Sequence, residues 1–283
     1  MTDSTHPRAT LERWFLDDVA LAVATSGTGP GPAVLFIHGS WDDHHTWDAV
    51  RAALPGDRVV VAYDRRGHSA STDLVGQGTI RQDVADAAQI IRRLGDTPVH
   101  VVGHSYGACI ALLLASDRPD LVGGLVLHEP PLFGLLADSH AEILGEAQAS
   151  MARAVELGTG GRIEEAAIEF IEQVAFGPGS WTGLFDAPER ARMLANVDTW
   201  IDQCRDPDRL AVDISALSSF AGPITLTTGT ASLPTFIAVT DIVSRRLPAA
   251  TVVSIDGAGH GAPISHPTRL AEAIDAHLRA AAS

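Results

Sequence analysis

Residues 99–115 read VHVVGHSYGACIALLLA, and this stretch decides the fold prediction for the chain. The run at 99–102 is rich in valine, which favours a strand, whereas the longer apolar run at 109–115 is typical of a buried helix. Between them lies Gly103-His104-Ser105-Tyr106-Gly107. Small residues on both sides of Ser105 permit a sharp turn that exposes the serine hydroxyl. We therefore predict a buried strand, a tight turn with Ser105 at its tip, and a helix.

The same alternation of strand and helix patterns extends on both sides of this stretch. Further apolar runs lie at 33–37, 58–63 and 121–127, with helical patterns at 47–54 and 80–94. Continuous apolar runs bounded by helices are typical of buried parallel strands, so their alternation predicts an open α/β sheet. Residues 13–24 alternate loosely around Asp17-Asp18 and predict an additional hairpin.

The alternation stops after Pro130-Pro131. From about residue 133 to residue 209 the chain shows helical patterns only, and strand character returns at 223–228 and 251–255 before a last helix. The simplest interpretation is one α/β core formed by residues 1–131 and 209–283, with a helical cap inserted at 132–208.

Two candidate catalytic residues follow predicted strands. Ligands of α/β sheets bind at the carboxyl ends of the strands, where Ser105 and the segment Gly259-His260-Gly261 are both expected. The glycines around His260 permit a tight turn, and a histidine can take the proton of a serine and return it to a leaving group. We therefore predict Ser105 as a nucleophile and His260 as its general base.

The loop after the first apolar run supplies a candidate oxyanion site. It reads His38-Gly39-Ser40. In a hydrolase, a backbone N–H of this loop joins the N–H that follows the nucleophile to bind a developing negative charge. Tyr106 supplies the second N–H, while Ser40 is the preferred donor from the loop, with Trp41 as the alternative. For the polar segment 64–69, after the second run, we predict a structural role near the site.

Taken in order, these motifs resemble the α/β-hydrolase fold family along nearly the whole chain. The matching segments are His38-Gly39, residues 64–67, residues 103–107 and Gly259-His260. The resemblance implies a mostly parallel eight-stranded sheet with helices on both faces and a helical cap. It also implies a Ser–His–acid triad without a metal or an organic cofactor. Relatives that hydrolyse epoxides or haloalkanes use an aspartate nucleophile, so Ser105 argues against both activities.

The acid of such a triad does not stand at its usual position in this sequence. The family usually places it after the strand expected at 223–228, but residues 229–234 read GTASLP and the next carboxylate, Asp241, falls within a helix. A minority of the family places the acid after the strand that ends here in His128-Glu129. Zearalenone lactonases look similar at that point and at Ser265-His266-Pro267. We predict Glu129 as the acid, with an incomplete triad as the open alternative.

Composition excludes several other classes of function. The 283-residue chain carries a formal charge of −15, which disfavours nucleic acids and anionic membranes as partners. All 20 basic residues are arginine, which removes lysine Schiff bases and the P-loop lysine. Cys109 and Cys204 lack metal-site spacing, although a disulfide between them stays open. The N-terminal sequence lacks a signal-peptide pattern and no run is long enough to span a membrane, so we expect a soluble cytoplasmic protein. The oligomeric state stays undetermined.

The predicted function is hydrolysis of a small carboxylic ester or lactone, preferably apolar and uncharged, through an acyl-enzyme on Ser105. Two alternatives stay open: a carbon–carbon bond hydrolase for diketone-like substrates, and a ligand-binding protein on a hydrolase scaffold. Apolar side chains are the candidate walls of the substrate pocket: Trp41, Leu132, Phe133, Trp181 and Trp200.

Overall fold

The computed structural model describes residues 9–71 and 78–282. Within this part of the chain, eight strands form one sheet in the order β1-β2-β4-β3-β5-β6-β7-β8. The strands are β1 (Thr10–Phe15), β2 (Ala20–Ser26), β3 (Val34–Ile37), β4 (Val60–Tyr63), β5 (Val99–His104), β6 (Val122–His128), β7 (Ile224–Gly229) and β8 (Thr251–Ile255). The two pairs that include β2 are antiparallel and the others are parallel. The predicted eight-stranded, mostly parallel sheet is confirmed.

Eleven α-helices accompany the sheet in the described residues. They are α1 (Asp48–Ala53), α2 (Ile80–Leu94), α3 (Tyr106–Asp117), α4 (Ala141–Thr159), α5 (Ile163–Glu169), α6 (Ser180–Gly183), α7 (Ala187–Ala195), α8 (Val197–Arg205), α9 (Pro234–Arg246), α10 (Ala262–Ser265) and α11 (Pro267–Ala281). A π-helical turn, Phe170–Ala175, continues directly from α5. Short 3-10 turns lie at His44–Trp47, Ser69–Ser71, Phe133–Leu136 and Ile214–Ser219.

Helices cover both faces of the sheet, because successive strand residues point to opposite faces. On one face, Val34 and Val102 pack in a cluster with side chains of α1 and α11. On the other face, Leu35 and Val101 pack in a cluster with side chains of α2 and α3. Burial of the strands from both sides explains why their sequences are continuously apolar.

Helix α2 illustrates how local sequence fixes an element. The Thr79 side chain accepts a hydrogen bond from the backbone N–H of Gln82. In turn, the Gln82 side chain accepts a hydrogen bond from the backbone N–H of Thr79. This capping box satisfies two donors that the first turn of a helix otherwise leaves without partners. The helix ends at Gly95, whose φ of 133° is accessible mainly to glycine.

The register of the central strands brings the candidate catalytic segments together. At their carboxyl ends His104 of β5 pairs with His128 of β6, and His128 pairs with Thr227 of β7. Because these strands are parallel, the next residues, Ser105 and Glu129, leave the sheet side by side.

The segment between β6 and β7 contains α4 to α8 and no strand among its residues. We refer to residues 132–208 as the cap. Asn196 attaches the cap to the core, because its side-chain amide donates to the carbonyls of Trp41 and Asp42 at 3.1 and 3.2 Å. Its amide oxygen accepts from the N–H of Ser69 at 2.8 Å.

Two further predictions concern cysteines and membranes. Cys109 and Cys204 are both free thiols, which closes the question of a disulfide between them. Among the described residues, none of the helices has the length and apolar character needed to cross a bilayer.

Candidate active site

Ser105 lies at the turn between β5 and α3 in a backbone conformation that side chains rarely adopt. Its φ of 54° and ψ of −124° aim it away from the strand. The residues on both sides of this turn must be glycine, because other parts of the backbone lie too close to leave room for a side chain. A Cβ on Gly103 would lie 2.6 Å from the Cα of Ala108, and one on Gly107 would lie 2.3 Å from the carbonyl oxygen of Ile37. The sequence pattern therefore follows from steric limits at a strained turn.

His260 follows β8 and meets Glu129, which follows β6. The distance between His260 Nδ1 and Glu129 Oε2 is 2.8 Å, and both residues are buried. An ionised carboxylate only accepts hydrogen bonds, so Nδ1 carries the proton and Nε2 is the basic nitrogen of the neutral ring. Glu129 itself has φ of 48°, a second strained position at a strand end.

The second oxygen of Glu129 is held by the loop after β7. Its Oε1 accepts from Thr228 Oγ1 at 2.9 Å, from the N–H of Gly229 at 2.8 Å, and from the hydroxyl of Ser232. Burial acts to raise the pKa of Glu129, but the hydrogen bonds from His260 and Ser232 outweigh it. Together they hold the pKa well below the ordinary glutamate value. Glu129 is therefore an anion at neutral pH.

The backbone and ring of His260 are fixed from several sides. Its carbonyl oxygen accepts from His104 Nε2 at 2.9 Å and from His128 Nε2 at 3.2 Å. Burial lowers the pKa of both neighbours, which keeps them as neutral N–H donors. Phe236 stacks on the His260 ring with centroids 4.0 Å apart and an angle of 18°. These contacts leave the imidazole one orientation.

Ser105 and His260 line the same cavity between the core and the cap. Its volume is about 40 Å³, far below the roughly 300–1,000 Å³ of a typical ligand pocket. Core and cap both contribute walls, and most of them are apolar: Ser40, Tyr106, Pro131, Phe133, Met151, Phe170, Val174, Ala175, Trp200, Gln203, Arg209, Leu210 and Phe236. In this structure the cavity therefore has room for only a few atoms.

The loop that carries Ser40 is held in place by a buried arginine. Arg65 donates to the carbonyl of Gly39 at 3.0 Å and forms an ion pair with Asp83 at 3.2 Å. Its guanidinium also lies 4.8 Å from the ring centre of Tyr106. Arg65 of the polar segment 64–69 thus contacts Tyr106 and the residue before Ser40, in agreement with the structural role predicted for this segment.

Helix α3 begins at Tyr106, directly behind Ser105. The positive end of a helix dipole favours negative charge that develops nearby. Ser40 lines the same cavity, and its hydroxyl accepts a hydrogen bond from Gln203 Nε2 at 2.7 Å. The two predicted oxyanion residues and Ser105 therefore line one cavity.

A family model described as the alpha/beta hydrolase family matches residues 34–273, a segment that contains every residue of the cavity. The chain belongs to the alpha/beta hydrolase family. Among solved structures, an alpha/beta hydrolase from Sphaerobacter thermophilus has 24% identity and a TM-score of 0.73, covering 93% of this chain and 100% of that one. This likeness supports the fold.

Curated relatives of this hydrolase-family chain match over shorter segments. Esterase Rv0045c of Mycobacterium tuberculosis is 35% identical over 124 residues, which are 44% of this chain and 41% of that protein. Lipase LipV of the same organism is 41% identical over 104 residues, which are 36% of this chain and 39% of that protein. The matches thus span well under two thirds of either relative.

Not all predicted pocket residues reach the cavity of this alpha/beta hydrolase. Phe133 and Trp200 line it, but the structure does not bring Trp41, Leu132 or Trp181 to its wall. Trp41 stacks on Phe170 and Trp200, so it supports the wall from behind. Leu132 is buried in the core cluster. Trp181 packs inside the cap beside Arg190, whose guanidinium lies 5.9 Å from its ring centre.

Sequence reasoning missed several residues that shape the site. Gln203 and Arg209 line the cavity and Phe236 stacks on His260, yet they lie in or beside helices that carry no motif. Ser232, in the loop after β7, donates to Glu129.

One group of potential metal ligands occurs among the described residues, outside the cavity. Single ligand atoms of Asp43, His44 and His45 lie within 4.8 Å of one another. These atoms already have protein partners, because His44 Nδ1 lies 2.6 Å from Asp64 and Asp43 accepts from Ser69 and pairs with Arg192. These contacts explain the cluster of Asp43, His44 and His45 as an attachment between the core and the cap.

Proposed function

We propose that the chain is a serine hydrolase that cleaves a carboxylic ester or lactone through an acyl-enzyme on Ser105. One observation carries this proposal: His260, with its ring fixed by Glu129 over 2.8 Å, lines the same cavity as Ser105. A nucleophile, a general base and an orienting carboxylate are the parts that acyl transfer by a serine requires.

In the proposed reaction His260 Nε2 takes the Ser105 proton as Oγ attacks the substrate carbonyl. The backbone N–H groups of Ser40 and Tyr106 hold the oxyanion of the tetrahedral intermediate. His260 then protonates the leaving alcohol, and the acyl group stays on Ser105. A water molecule, activated in turn by His260, releases the acid and restores the serine.

The charge of Glu129 gives it a distinct role in this scheme. It stays ionised and accepts the Nδ1–H bond, so it fixes the tautomer that leaves Nε2 basic. When His260 becomes an imidazolium, the carboxylate stabilises the new positive charge. The hydrogen bonds that Glu129 accepts from Thr228, Gly229 and Ser232 hold the carboxylate in place and leave its charge intact.

The cap, residues 132–208, is proposed to determine the substrate range. It supplies Phe133, Phe170 and Trp200 to the cavity wall, while Ser105 and His260 belong to the core. The two relatives from Mycobacterium tuberculosis are named an esterase and a lipase, which agrees with an ester as substrate. The similarity to zearalenone lactonases in the His128-Glu129 segment keeps a lactone in the proposal.

Labelling with a fluorophosphonate probe tests the proposal. Such probes react with activated serines, so the purified wild-type protein should label and hydrolyse short p-nitrophenyl esters, whereas Ser105→Ala should do neither. Equal circular dichroism spectra would show that the variant is folded. Failure of the wild type to label or hydrolyse would favour a ligand-binding protein, and labelling of Ser105→Ala would place the nucleophile elsewhere. Labelling without ester or lactone turnover would favour the carbon–carbon bond hydrolase.

A further inference from the structure

The cavity beside Ser105 contains a cation without an ionic partner. Most arginines of the described residues form ion pairs with Asp or Glu. Arg209 lines the cavity, is half-buried, and forms no ion pair within the part of the chain that the structure describes. Burial raises the pKa of the nearby Cys204 thiol, so this neighbour carries no charge that could pair with Arg209. A guanidinium in a largely apolar cavity gains strongly from an anion there, since low polarity strengthens the attraction.

A second polar group faces the same space. Gln203 is buried, with only 5% of its surface exposed, and its Nε2 donates to Ser40 Oγ at 2.7 Å. The other atom of its amide, Oε1, is buried without a hydrogen-bond partner. Because the serine hydroxyl can also donate, a flip of the amide keeps the bond to Ser40 and places the NH₂ group where Oε1 now lies without a partner. Gln203 can therefore supply a free donor in the wall of the cavity that Arg209 also lines.

We propose that Arg209 and Gln203 form a carboxylate-binding subsite, so that the substrate is an ester whose acyl group ends in a carboxylate. The donors of a guanidinium match a carboxylate in geometry and charge. Among the lining residues of the cavity, Arg209 is the one with a permanent charge, and no carboxylate of the described residues lines the cavity to compete for it. The proposal rests on the serine hydrolase function, and it replaces the apolar, uncharged substrate predicted from the sequence.

Attachment to the cap gives the subsite a further consequence. Gln203 lies on α8 and bonds to Ser40 of the core loop, so the cap residue that meets the carboxylate also contacts the oxyanion loop. A bound carboxylate would hold Gln203 of the cap against Arg209, the first residue of the core segment 209–283.

Matched pairs of p-nitrophenyl esters test the subsite. The half-esters of malonate, succinate and glutarate carry the carboxylate at increasing distance, and neutral acyl esters of equal length are their partners. In the wild type, at least one half-ester should have a higher kcat/KM than its neutral partner. Arg209→Gln should lower that ratio by about 10- to 100-fold, the scale of a charge-assisted hydrogen bond. Arg209→Lys should recover part of it.

Arg205→Gln is the matched control, because Arg205 is an exposed arginine on α8 that pairs with Asp202 and lies outside the cavity. It removes the same charge and should retain the wild-type ratio. If both variants lost the preference for the half-ester equally, the overall charge of the protein would explain the effect and the proposed subsite would be wrong. A ratio that Arg209→Gln leaves unchanged would also overturn it.

A binding measurement separates failure of the subsite from failure of the hydrolase function. Sodium glutarate should change the tryptophan fluorescence of Ser105→Ala, because Trp200 lines the cavity, whereas sodium chloride at equal ionic strength should not. The change should disappear when Arg209→Gln is added. If the wild type hydrolyses no ester and the fluorophosphonate does not label it, this titration still decides on the subsite. No response to glutarate in any variant would then refute it.

Discussion

His260 donates from Nδ1 to Glu129 Oε2 over 2.8 Å, although 131 residues separate the two in sequence. The contact forms because β6 and β8 lie on either side of β7 and end at the same edge of the sheet. The loop after β7, which lacks a carboxylate, contributes Ser232 as a donor to the acid. In the proposed triad the acid therefore follows the strand next to the one that usually carries it, and the loop at the usual position hydrogen-bonds to this acid.

Glu129→Gln should lower kcat by up to about 10⁴-fold, the scale seen when a triad acid becomes an amide. The amide can offer its NH₂ to the ring, which favours the wrong tautomer, and it carries no charge to stabilise the imidazolium. Because the shape of the side chain is retained, the melting temperature should change little. Steady-state kinetics on a short p-nitrophenyl ester and a thermal melt measure the two quantities.

Ser232→Ala removes a neighbour of the acid while leaving its charge, and it should cost far less than Glu129→Gln. The carboxylate keeps its hydrogen bonds from Thr228 and Gly229 in that variant. Equal losses in the two variants would mean that Ser232, and not the charge of Glu129, determines the activity of His260.

The strand ends of this protein are the part of the site that sequence predicts best. Each buried strand is a recognisable apolar run, so residues that directly follow one, such as Ser105 and Glu129, can be placed at the edge of the sheet. Arg209 and Gln203 could not be placed, because the position of cap helices over the core depends on side-chain packing. Sequence patterns also do not distinguish Trp200, which lines the cavity, from Trp181, which packs within the cap.

These two tryptophans predict different effects on substrate range. Trp200→Ala removes a large side chain from the wall and so enlarges the cavity. The kcat/KM for bulky esters should therefore rise relative to that for acetate esters. Trp181→Ala removes a similar volume from the cap interior and should destabilise the protein by about 3–5 kcal/mol without altering this ranking. A panel of p-nitrophenyl esters of increasing size, with chemical denaturation of both variants, measures the outcome. A change of ranking in Trp181→Ala alone would contradict the position of the cavity.

Gly107→Ala should destabilise the fold through the turn that carries Ser105. The new Cβ would lie 2.3 Å from the carbonyl oxygen of Ile37 and 2.6 Å from that of His38, and both are backbone atoms. Overpacking of this kind costs about 1–3 kcal/mol or more. Gly145→Ala on α4 is the matched control, because its Cβ meets nothing within 4 Å. It should stabilise by about 0.5–1 kcal/mol, as expected for glycine replaced inside a helix. Urea denaturation of both variants compares the free energies of unfolding.

Two buried histidines away from the active site predict acid sensitivity of the fold. His100 Nδ1 and His277 Nε2 lie 3.2 Å apart, and His277 Nδ1 lies 2.9 Å from Thr225 Oγ1. Burial lowers the pKa of each ring from 6.5 to about 4. Between pH 6.5 and pH 4 the two histidines are protonated in the unfolded chain but stay largely neutral in the folded protein. The free energy of unfolding therefore falls as the pH drops from about 6.5 to about 4, with a slope near 1.4 kcal/mol per pH unit for each histidine.

His277→Gln should make this slope shallower by about 1.4 kcal/mol per pH unit, because one of the two titrating rings is gone while a polar side chain remains for Thr225. Denaturation with urea at a series of pH values from 7 to 4 gives the slope for the wild type and the variant. Other buried histidines, including His104 and His128, add to the slope of both proteins equally, since burial lowers the pKa of each. Parallel slopes in the two proteins would show that His277 does not take up a proton on unfolding in this range, and the source of any acid sensitivity would then lie elsewhere.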